Sequence, residues 1–420
     1  MSLEQLINAV AEDFKLDYSD SLDIMRSLVE VVGYSNFSKR TLYGNFSKSE
    51  VQILLKNMND FGYLNQNIHY YCPFDNGESI TSIDDKRCEL CDGSIEDEEH
   101  EVTEMYIVNE QLIELIRKAN QNVEFKAYLN TAYKKNLKYI LNDKNDLIPF
   151  LGSGVSMPLG LPNWQGLLVK LNDNSFSNEH LEEEFNILVK NGDLLTAFDF
   201  LKGNSFEYSN YDQVKERIIE IIAEMRIKNV NEVEHNYNDL VALNSNFYLT
   251  TNYDLYMSEF LTYENEEYTA PICLSEINSI RKLMTGNNQV IHLHGHLNKK
   301  DTMIVSREDY QNLYANVELM MRFGSIMNNK PLLFVGFSFN DDFFKELFEK
   351  IITLVSSQHY IIIPNADNEL VRKFNAKNIK VISLNVKQDS QGNLDSTDLV
   401  KAIKVLITFL IDNDNDLIPF

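Results

Sequence analysis

The sequence contains little cysteine and no long apolar run. Four cysteines in 420 residues cannot form the framework of a disulfide-stabilised secreted protein, so we expect the reducing cytoplasm. The longest apolar candidate, residues 400–411, contains two lysines and falls short of the roughly 20 residues that span a bilayer. The first residues lack the basic and apolar regions of a signal peptide, which also favours a cytoplasmic protein with no membrane partner.

Basic residues are scarce as well. Lys and Arg total 38 against 63 Asp and Glu, which gives a formal net charge of −25. A surface this acidic repels phosphate backbones, so general nucleic-acid binding is not expected. The densest basic run, residues 134–138, lies in a helical pattern and is interpreted as a solvated helix face. The length allows two or three domains, each with its own core.

Residues 1–68 predict a helical, winged-helix-like module. Ser47 and Glu50 form a helix-start signal, and apolar residues follow them at helical spacing. Gly62 then ends the helix, and a strand-like run follows at residues 68–71. Such a module serves either DNA recognition or protein contact. The scarcity of basic residues near the candidate recognition helix favours protein contact.

Residues 69–100 predict a zinc-ribbon-like segment. Its candidate ligands for a structural zinc ion are Cys72, Cys88 and Cys91. The last two form a CxxC turn, whose spacing lets both thiolates face one ion, and the first lies in a similar half-turn. The candidates for a fourth ligand are His69 and Asp75, each three residues from the first cysteine. The alternative is a set of free thiols in an acidic loop.

Residues 101–143 are predicted to be a helical connector, and residues 144–420 alternate short apolar strands with helices. This alternation is typical of a parallel sheet covered on both faces. The predicted strands are 147–151, 247–250, 290–293, 332–335, 360–363 and 381–384. The fold class is therefore α/β, with a Rossmann-like, doubly wound and mainly parallel sheet preceded by the small N-terminal module.

Polar clusters follow four of these strands. The first is Gly152-Ser153-Gly154-Val155-Ser156, at the turn where doubly wound sheets bind the diphosphate of a dinucleotide. No lysine follows it, so it is not an ATP-type P-loop. The others are Thr250-Thr251-Asn252-Tyr253-Asp254, His292-Leu293-His294-Gly295 and Gly336-Phe337-Ser338-Phe339-Asn340-Asp341. The carboxyl ends of parallel strands meet at one edge of a sheet, so we expect the clusters to converge on one crevice.

In this order, together with Gly160-Leu161-Pro162-Asn163-Trp164, the clusters resemble the sirtuin superfamily. The resemblance covers about residues 140–385 and is closest to the bacterial sirtuin-like branch of NAD-degrading enzymes associated with anti-phage defence. It implies that Asn252 and His294 are catalytic. It also implies that NAD is bound by Gly152, Ser153, Gly154, Ser156, Asp254, Gly336, Ser338 and Asp341.

Two departures from the family pattern argue against protein deacetylation. Deacylating sirtuins carry a four-cysteine zinc module inside the catalytic domain, where this chain offers only Cys273. The usual Pro-Asp-Phe-Arg is replaced here by Pro162-Asn163-Trp164-Gln165. Neither departure affects the residues that the resemblance assigns to NAD cleavage.

The chemistry of NAD cleavage suits this residue set. Nicotinamide leaves as a neutral molecule, so the paired carboxylates of ordinary glycosidases are superfluous. Asn252 can orient a water molecule. His294, as an imidazole of ordinary pKa about 6.5, can accept a proton from a ribose hydroxyl or that water.

The resemblance therefore predicts an NAD glycohydrolase that releases nicotinamide and ADP-ribose, with NAD as its substrate. The alternatives are an NAD-dependent deacylase or ADP-ribosyltransferase, and a non-catalytic NAD or ADP-ribose sensor. We further expect an activating partner protein or phage-derived signal, a homo-oligomer, and a regulatory role for the N-terminal module.

Overall fold

The computed structural model describes residues 2–96, 99–173, 175–277, 288–327, 330–338, 342–355 and 357–412. The chain divides into two compact units, Met1–Glu124 and Phe125–Phe420. Within the described ranges, no helix combines the length and the apolar character needed to cross a membrane.

The first unit begins with four helices. They are α1 (Leu3–Phe14), α2 (Tyr18–Val32), α3 (Lys39–Leu42) and α4 (Lys48–Asp60). Ser47 begins α4 with the capping box that the sequence predicts, its hydroxyl accepting from the N–H of Glu50. Apolar residues of α1, α2 and α4, such as Leu6, Met25 and Leu54, form one buried core.

A three-stranded antiparallel sheet follows these helices. Its strands are β1 (Leu64–Cys72), β2 (Gly77–Ser82) and β3 (Glu101–Val108), in the order β2-β1-β3. The prediction that residues 101–143 form a helical connector is therefore wrong for residues 101–108, which form β3. This segment pairs with β1 along its whole length and buries Tyr106 and Val108 in the core of the unit. Helix α5 (Glu110–Tyr128) comes next. The winged-helix-like interpretation of residues 1–68 stays a prediction.

The second unit contains a seven-stranded sheet in which every pairing is parallel. Its strands are β4 (Ile148–Leu151), β5 (Phe247–Thr250), β6 (Ile272–Cys273), β7 (Gln289–His292), β8 (Leu332–Val335), β9 (His359–Pro364) and β10 (Ile379–Leu384). The six strands predicted from apolar runs are present. β6 is too short to show such a run. The predicted α/β class with a parallel sheet is confirmed.

Helices cover both faces of this sheet. They are α6 (Lys134–Asn142), α7 (Trp164–Leu171), α8 (Glu179–Asn191), α9 (Leu194–Asn204), α10 (Tyr211–Met225), α11 (Tyr237–Ala242), α12 (Tyr256–Asn265), α13 (Arg307–Ala315), α14 (Val317–Met327), α15 (Asp342–Leu354), α16 (Asn368–Asn375) and α17 (Ser396–Asp412). Adjacent strand residues face opposite cores, because Leu151 lies in one apolar cluster and Phe150 in the other. This two-sided burial explains why the strands are apolar throughout.

The strand order β10-β9-β8-β4-β5-β7-β6 places the first strand, β4, in the middle. The chain adds β5, β6 and β7 on one side of β4, and β8, β9 and β10 on the other. The loops after β4, β5 and β8 therefore meet where the strand order reverses. Open α/β sheets bind their ligands at this point.

Candidate functional site

The loops after β4 and β8 pack directly against each other. The N–H of Gly154 donates to the carbonyl oxygen of Gly336 (2.9 Å), and Gly336 has a φ of 75°. A Cβ at Gly152 would lie 2.6 Å from the same oxygen. These glycines are therefore needed for close contact between the two loops.

Four of the five amide N–H groups of residues 152–156, the loop after β4, are already used within the protein. They donate as follows: Gly152 to Val335, Gly154 to Gly336, Val155 to Gly152, and Ser156 to Ser153. In this conformation these four groups do not face an anion. The predicted role of the loop in binding phosphate stays a prediction, and these four N–H groups do not support it.

Asn252 follows β5 and connects the two loops. Its Nδ2 donates to the carbonyl oxygen of Gly152 (3.1 Å) and to Ser156 Oγ (3.1 Å). The backbone is held as well, because Asn252 N–H donates to Thr250 Oγ1 (3.0 Å) and His292 Nδ1 donates to the Asn252 carbonyl (3.0 Å). The side chain is thus fixed in one orientation, with Nδ2 directed at acceptors.

Ser156 is the centre of a buried polar network. Its Oγ donates to Asp254 Oδ2 (2.8 Å) and lies 2.8 Å from the hydroxyl of Tyr237. The serine has one proton, and the ionised carboxylate takes it, so the Tyr237 hydroxyl must donate to Ser156. Burial raises the pKa of Asp254 to about 6 and holds the pKa of Tyr237 well above its usual value.

This network forms part of a pocket wall. The pocket is lined by Ser153, Ser156, Leu161, Pro162, Asn163, Trp164, Leu167, Ile222, Asn252, Tyr253 and Asp254. Trp164 contacts Tyr253 edge-on, with the ring centroids 5.1 Å apart. The predicted residues Ser153, Ser156, Asn252 and Asp254 are therefore brought together beside an apolar, aromatic surface.

His294 lies apart from this wall. It follows β7, is fully buried, and has its Nε2 3.0 Å from the hydroxyl of Tyr314 on α13. Burial lowers the pKa of His294 to about 3, so the ordinary pKa assumed from the sequence does not apply in this conformation. Gly295 has a φ of 74°, and a Cβ there would lie 2.2 Å from the carbonyl oxygen of Thr302. This glycine is required for the turn that follows the histidine.

The remaining predicted residues are only partly described. Ser338 is exposed after β8, two residues beyond Gly336. Asp341 lies outside the described residues. Three other features of the site have no signal in the sequence. They are the side chains of Tyr237 and Tyr314, and the contact of His292 with the backbone of Asn252. Tyr237 comes more than 80 positions after Ser156, and no spacing rule links a tyrosine at the start of a helix to a distant serine.

The three predicted metal-binding cysteines form a second polar cluster, in the first unit. One ligand atom each from Cys72, Cys88, Cys91 and His100 lies within 4.8 Å of the others. The expected fourth ligands, His69 and Asp75, are not in this group. Alternate residues of β1 face opposite sides, so His69 points away from Cys72, and its Nε2 lies 3.5 Å from Glu78. Asp75 is exposed in the turn before β2.

Comparison with known proteins supports the assignment of the second unit. Residues 246–382, from the start of β5 into β10, match the SIR2-like domain family. This range contains Asn252, Asp254, His294 and Gly336. The glycine loop after β4 precedes it.

Three curated relatives match about half of this chain. A protein named NAD(+) hydrolase ThsA from Acinetobacter baumannii (strain 532279) is 25% identical over 202 residues, 47% of this chain and 38% of its own. The NAD(+) hydrolase ThsA of Bacillus cereus (strain MSX-D12) is 26% identical over 195 residues, 46% of this chain and 37% of its own. That of Cytobacillus dafuensis is 23% identical over 224 residues, 52% of this chain and 41% of its own.

The matched region therefore spans about two fifths of the length of these relatives. Both comparisons bear out the family predicted from the motif order: residues 246–382 match the SIR2-like domain family, and the relatives are similar over about half of this chain.

Proposed function

We propose that the second unit is an NAD glycohydrolase that cleaves cytoplasmic NAD to nicotinamide and ADP-ribose. The observation that carries this proposal is the hydrogen-bonded set of Ser156, Asn252 and Asp254 in a pocket wall at the switch point of the sheet. The relatives named NAD(+) hydrolase support the same activity. The set offers fixed polar atoms without a pair of carboxylates, as a reaction with a neutral leaving group requires.

Asn252 is assigned to the substrate ribose or the attacking water. Both Nδ2 contacts go to acceptors, and the other atom of the amide, Oδ1, is buried and has no hydrogen-bond partner among the described residues. An amide oxygen in this fixed position accepts a hydrogen bond from a hydroxyl or a water and holds it for attack. Asn252 therefore orients the nucleophile without being titrated itself.

The diphosphate contacts are assigned to side chains. Since four N–H groups of the β4 loop donate within the protein, the assigned donors are the hydroxyls of Ser153 and Ser338, one from each interlocked loop. Gly152, Gly154 and Gly336 then act by letting the two loops that carry these serines pack closely against each other. Asp341, beyond Ser338, is proposed to bind the same ligand on the family resemblance alone.

His294 is proposed as the proton acceptor, and Tyr314 as the residue that orients it. The 3.0 Å contact between the Tyr314 hydroxyl and Nε2 fixes the plane of the imidazole. At a pKa of about 3 the ring is neutral at physiological pH, as a base must be, but it is a weak base. A polar ribose beside it would reverse part of the desolvation that lowers this pKa.

We also propose that the first unit regulates the enzyme in response to a partner protein or a phage-derived signal, in an assembly of several copies. An NAD hydrolase without control would consume the cofactor of its own cell. The support is the separate, compact first unit and the acidic chain, which suits protein contact better than DNA contact.

Product analysis tests the proposed activity. Purified protein is incubated with NAD, and the mixture is resolved by liquid chromatography and mass spectrometry, with and without an acetylated peptide. Equal amounts of nicotinamide and ADP-ribose, formed without the peptide, are expected. Peptide-dependent release with O-acetyl-ADP-ribose would identify a deacylase, and ADP-ribose attached to protein a transferase. NAD binding with no nicotinamide release would identify a sensor.

A further inference from the structure

We propose that Cys72, Cys88, Cys91 and His100 bind one structural zinc ion in the first unit. The proposal concerns a site separate from the NAD pocket and does not depend on the proposed function. Its starting point is that the four ligand atoms lie within 4.8 Å of one another. Around a tetrahedral zinc ion, with bonds of about 2.0–2.3 Å, ligand atoms lie roughly 3.5–4 Å apart. The four side chains thus need to move by only about an ångström.

Strand pairing brings two of these ligands together. Cys72 is the last residue of β1, and His100 immediately precedes β3. The antiparallel register pairs Tyr71 with Glu101, so the next pair outward is Cys72 and His100. This placement explains why the sequence does not reveal His100. Its proximity depends on β3, which pairs with a strand some thirty residues earlier.

A tight turn presents the other two ligands. The Cys88 N–H donates to the Gly93 carbonyl (2.8 Å), and the Asp92 N–H donates to the Cys88 carbonyl (3.0 Å). Asp92 has a φ of 61°, and an isolated bridge between Arg87 and Ser94 closes the base of the turn. Hydrogen bonds within the chain therefore hold the CxxC turn in shape before any ion binds.

The surroundings of the four ligands suit a metal better than free thiols. Cys72 and Cys88 are fully buried and His100 is 6% exposed, yet the local apolar cluster contains only Tyr70, Cys72, Cys88 and Ile95 among the described buried residues. So small a core contributes little stability to the hairpin tip and the loop after β2. A disulfide would join two thiols and leave the third beside the imidazole, whose Nε2 lies 3.6 Å from Cys91 Sγ.

The ligand chemistry selects the ion and its role. Three thiolates and one imidazole favour zinc over magnesium or calcium, which prefer oxygen ligands. Four protein ligands complete a tetrahedral shell and leave no position for a substrate, so the ion is structural. It would tie the end of β1 and the start of β3 to the CxxC turn.

Metal analysis of the full-length protein, purified without chelators, tests the site. We expect about one zinc per chain by plasma mass spectrometry, retained through dialysis. His100→Ala should lose zinc to a chelator at least about tenfold faster, whereas His100→Cys should retain it, because a thiolate replaces the imidazole. His69→Ala and Cys273→Ser are the matched controls and should behave as the parent. These measurements do not use NAD, so their outcome is independent of the proposed activity.

Three results would overturn the proposal. The first is zinc below roughly 0.2 per chain, with a mass about two daltons low that reports a disulfide. The second is stoichiometric iron in place of zinc. The third is loss of zinc in His69→Ala with normal retention in His100→Ala, which would assign the fourth ligand to the other histidine.

Discussion

At the residue scale, the candidate site combines groups that a sequence motif can indicate with groups that it cannot. Ser156, Asn252 and Asp254 are predictable because each follows a strand in a recognisable cluster, and hydrogen bonds connect them. Tyr237 and His100 are not predictable, since each reaches its partners only through the tertiary fold. The burial of His294 cannot be predicted from the sequence either. It depends on side chains of later elements, such as Tyr314 on α13, and a residue at the end of a strand gives no sign of them.

The hydroxyl of Tyr237 should matter for the reaction with NAD as well as for folding. In Tyr237→Phe, Ser156 loses one of its donors and can rotate away from Asp254, so we expect kcat/KM for NAD to fall by about 3–10-fold. The loss of one buried hydrogen bond should lower the free energy of unfolding by about 1 kcal/mol. Nicotinamide release and denaturant unfolding measure these effects.

Tyr248→Phe is the matched control for this prediction. Its hydroxyl is also buried, accepts from Ser245 N–H at 3.1 Å and donates to the Leu240 carbonyl at 3.1 Å, away from the pocket. Tyr248→Phe should lose at least as much stability, because two hydrogen bonds are removed, and it should keep its kcat/KM. Equal kinetic losses in the two variants would contradict a specific role for Tyr237.

Asp254 should make the protein less stable as pH rises. Its pKa is raised by burial from 3.8 to about 6, so the folded state binds the proton more tightly than the unfolded state. Its stabilising contribution is complete below about pH 4 and is lost as pH rises through about 6, by roughly 3 kcal/mol at most. Relative to Asp254→Asn, the parent should therefore lose melting temperature between about pH 4.5 and 7.5. A pH-independent difference between the two proteins would show that the carboxyl has an ordinary pKa.

At the element scale, the loops after the strands are set by glycine as much as by polar residues. Gly152, Gly154 and Gly336 allow two loops to interlock, and Gly295 lets the chain turn after His294. The strands of the parallel sheet are predictable, since two-sided burial makes them apolar throughout. β3 is not, because only its last residues are buried and its exposed part resembles a polar connector.

Gly295→Ala should damage the turn after β7. The new Cβ would lie 2.2 Å from the Thr302 carbonyl oxygen, at a φ that already disfavours alanine. Gly392→Ala is the matched control, because Gly392 also has a positive φ, 85°, but no described atom lies within 4 Å of the Cβ that alanine would add. Gly392→Ala should lower the free energy of unfolding by about 1 kcal/mol, and Gly295→Ala should lower it by clearly more. Equal losses in chemical unfolding would mean that Thr302 moves aside freely.

At the scale of the whole molecule, the chain joins a first unit of helices and an antiparallel sheet to a parallel α/β unit. The fold class and the similarity to SIR2-like domains are predictable from the sequence, because strand alternation and motif order extend over more than 200 positions. The boundary between the two units cannot be predicted from the sequence. The change of pattern falls at residue 144, whereas the chain divides at residue 124, within α5. A continuous helix has no composition change to mark where one unit ends.

The proposed cleavage of NAD beside Asn252 can be tested by comparing three proteins. Nicotinamide release from NAD is measured for the parent, Asn252→Ala and Asn265→Ala, with melting temperatures recorded for all three. Asn265, exposed at the end of α12, is the control amide. We expect release by the parent and the control at similar rates, and a loss of about 10²-fold or more in Asn252→Ala that remains folded. Folded Asn252→Ala that releases nicotinamide at the parental rate would show that Asn252 takes no part in the cleavage of NAD.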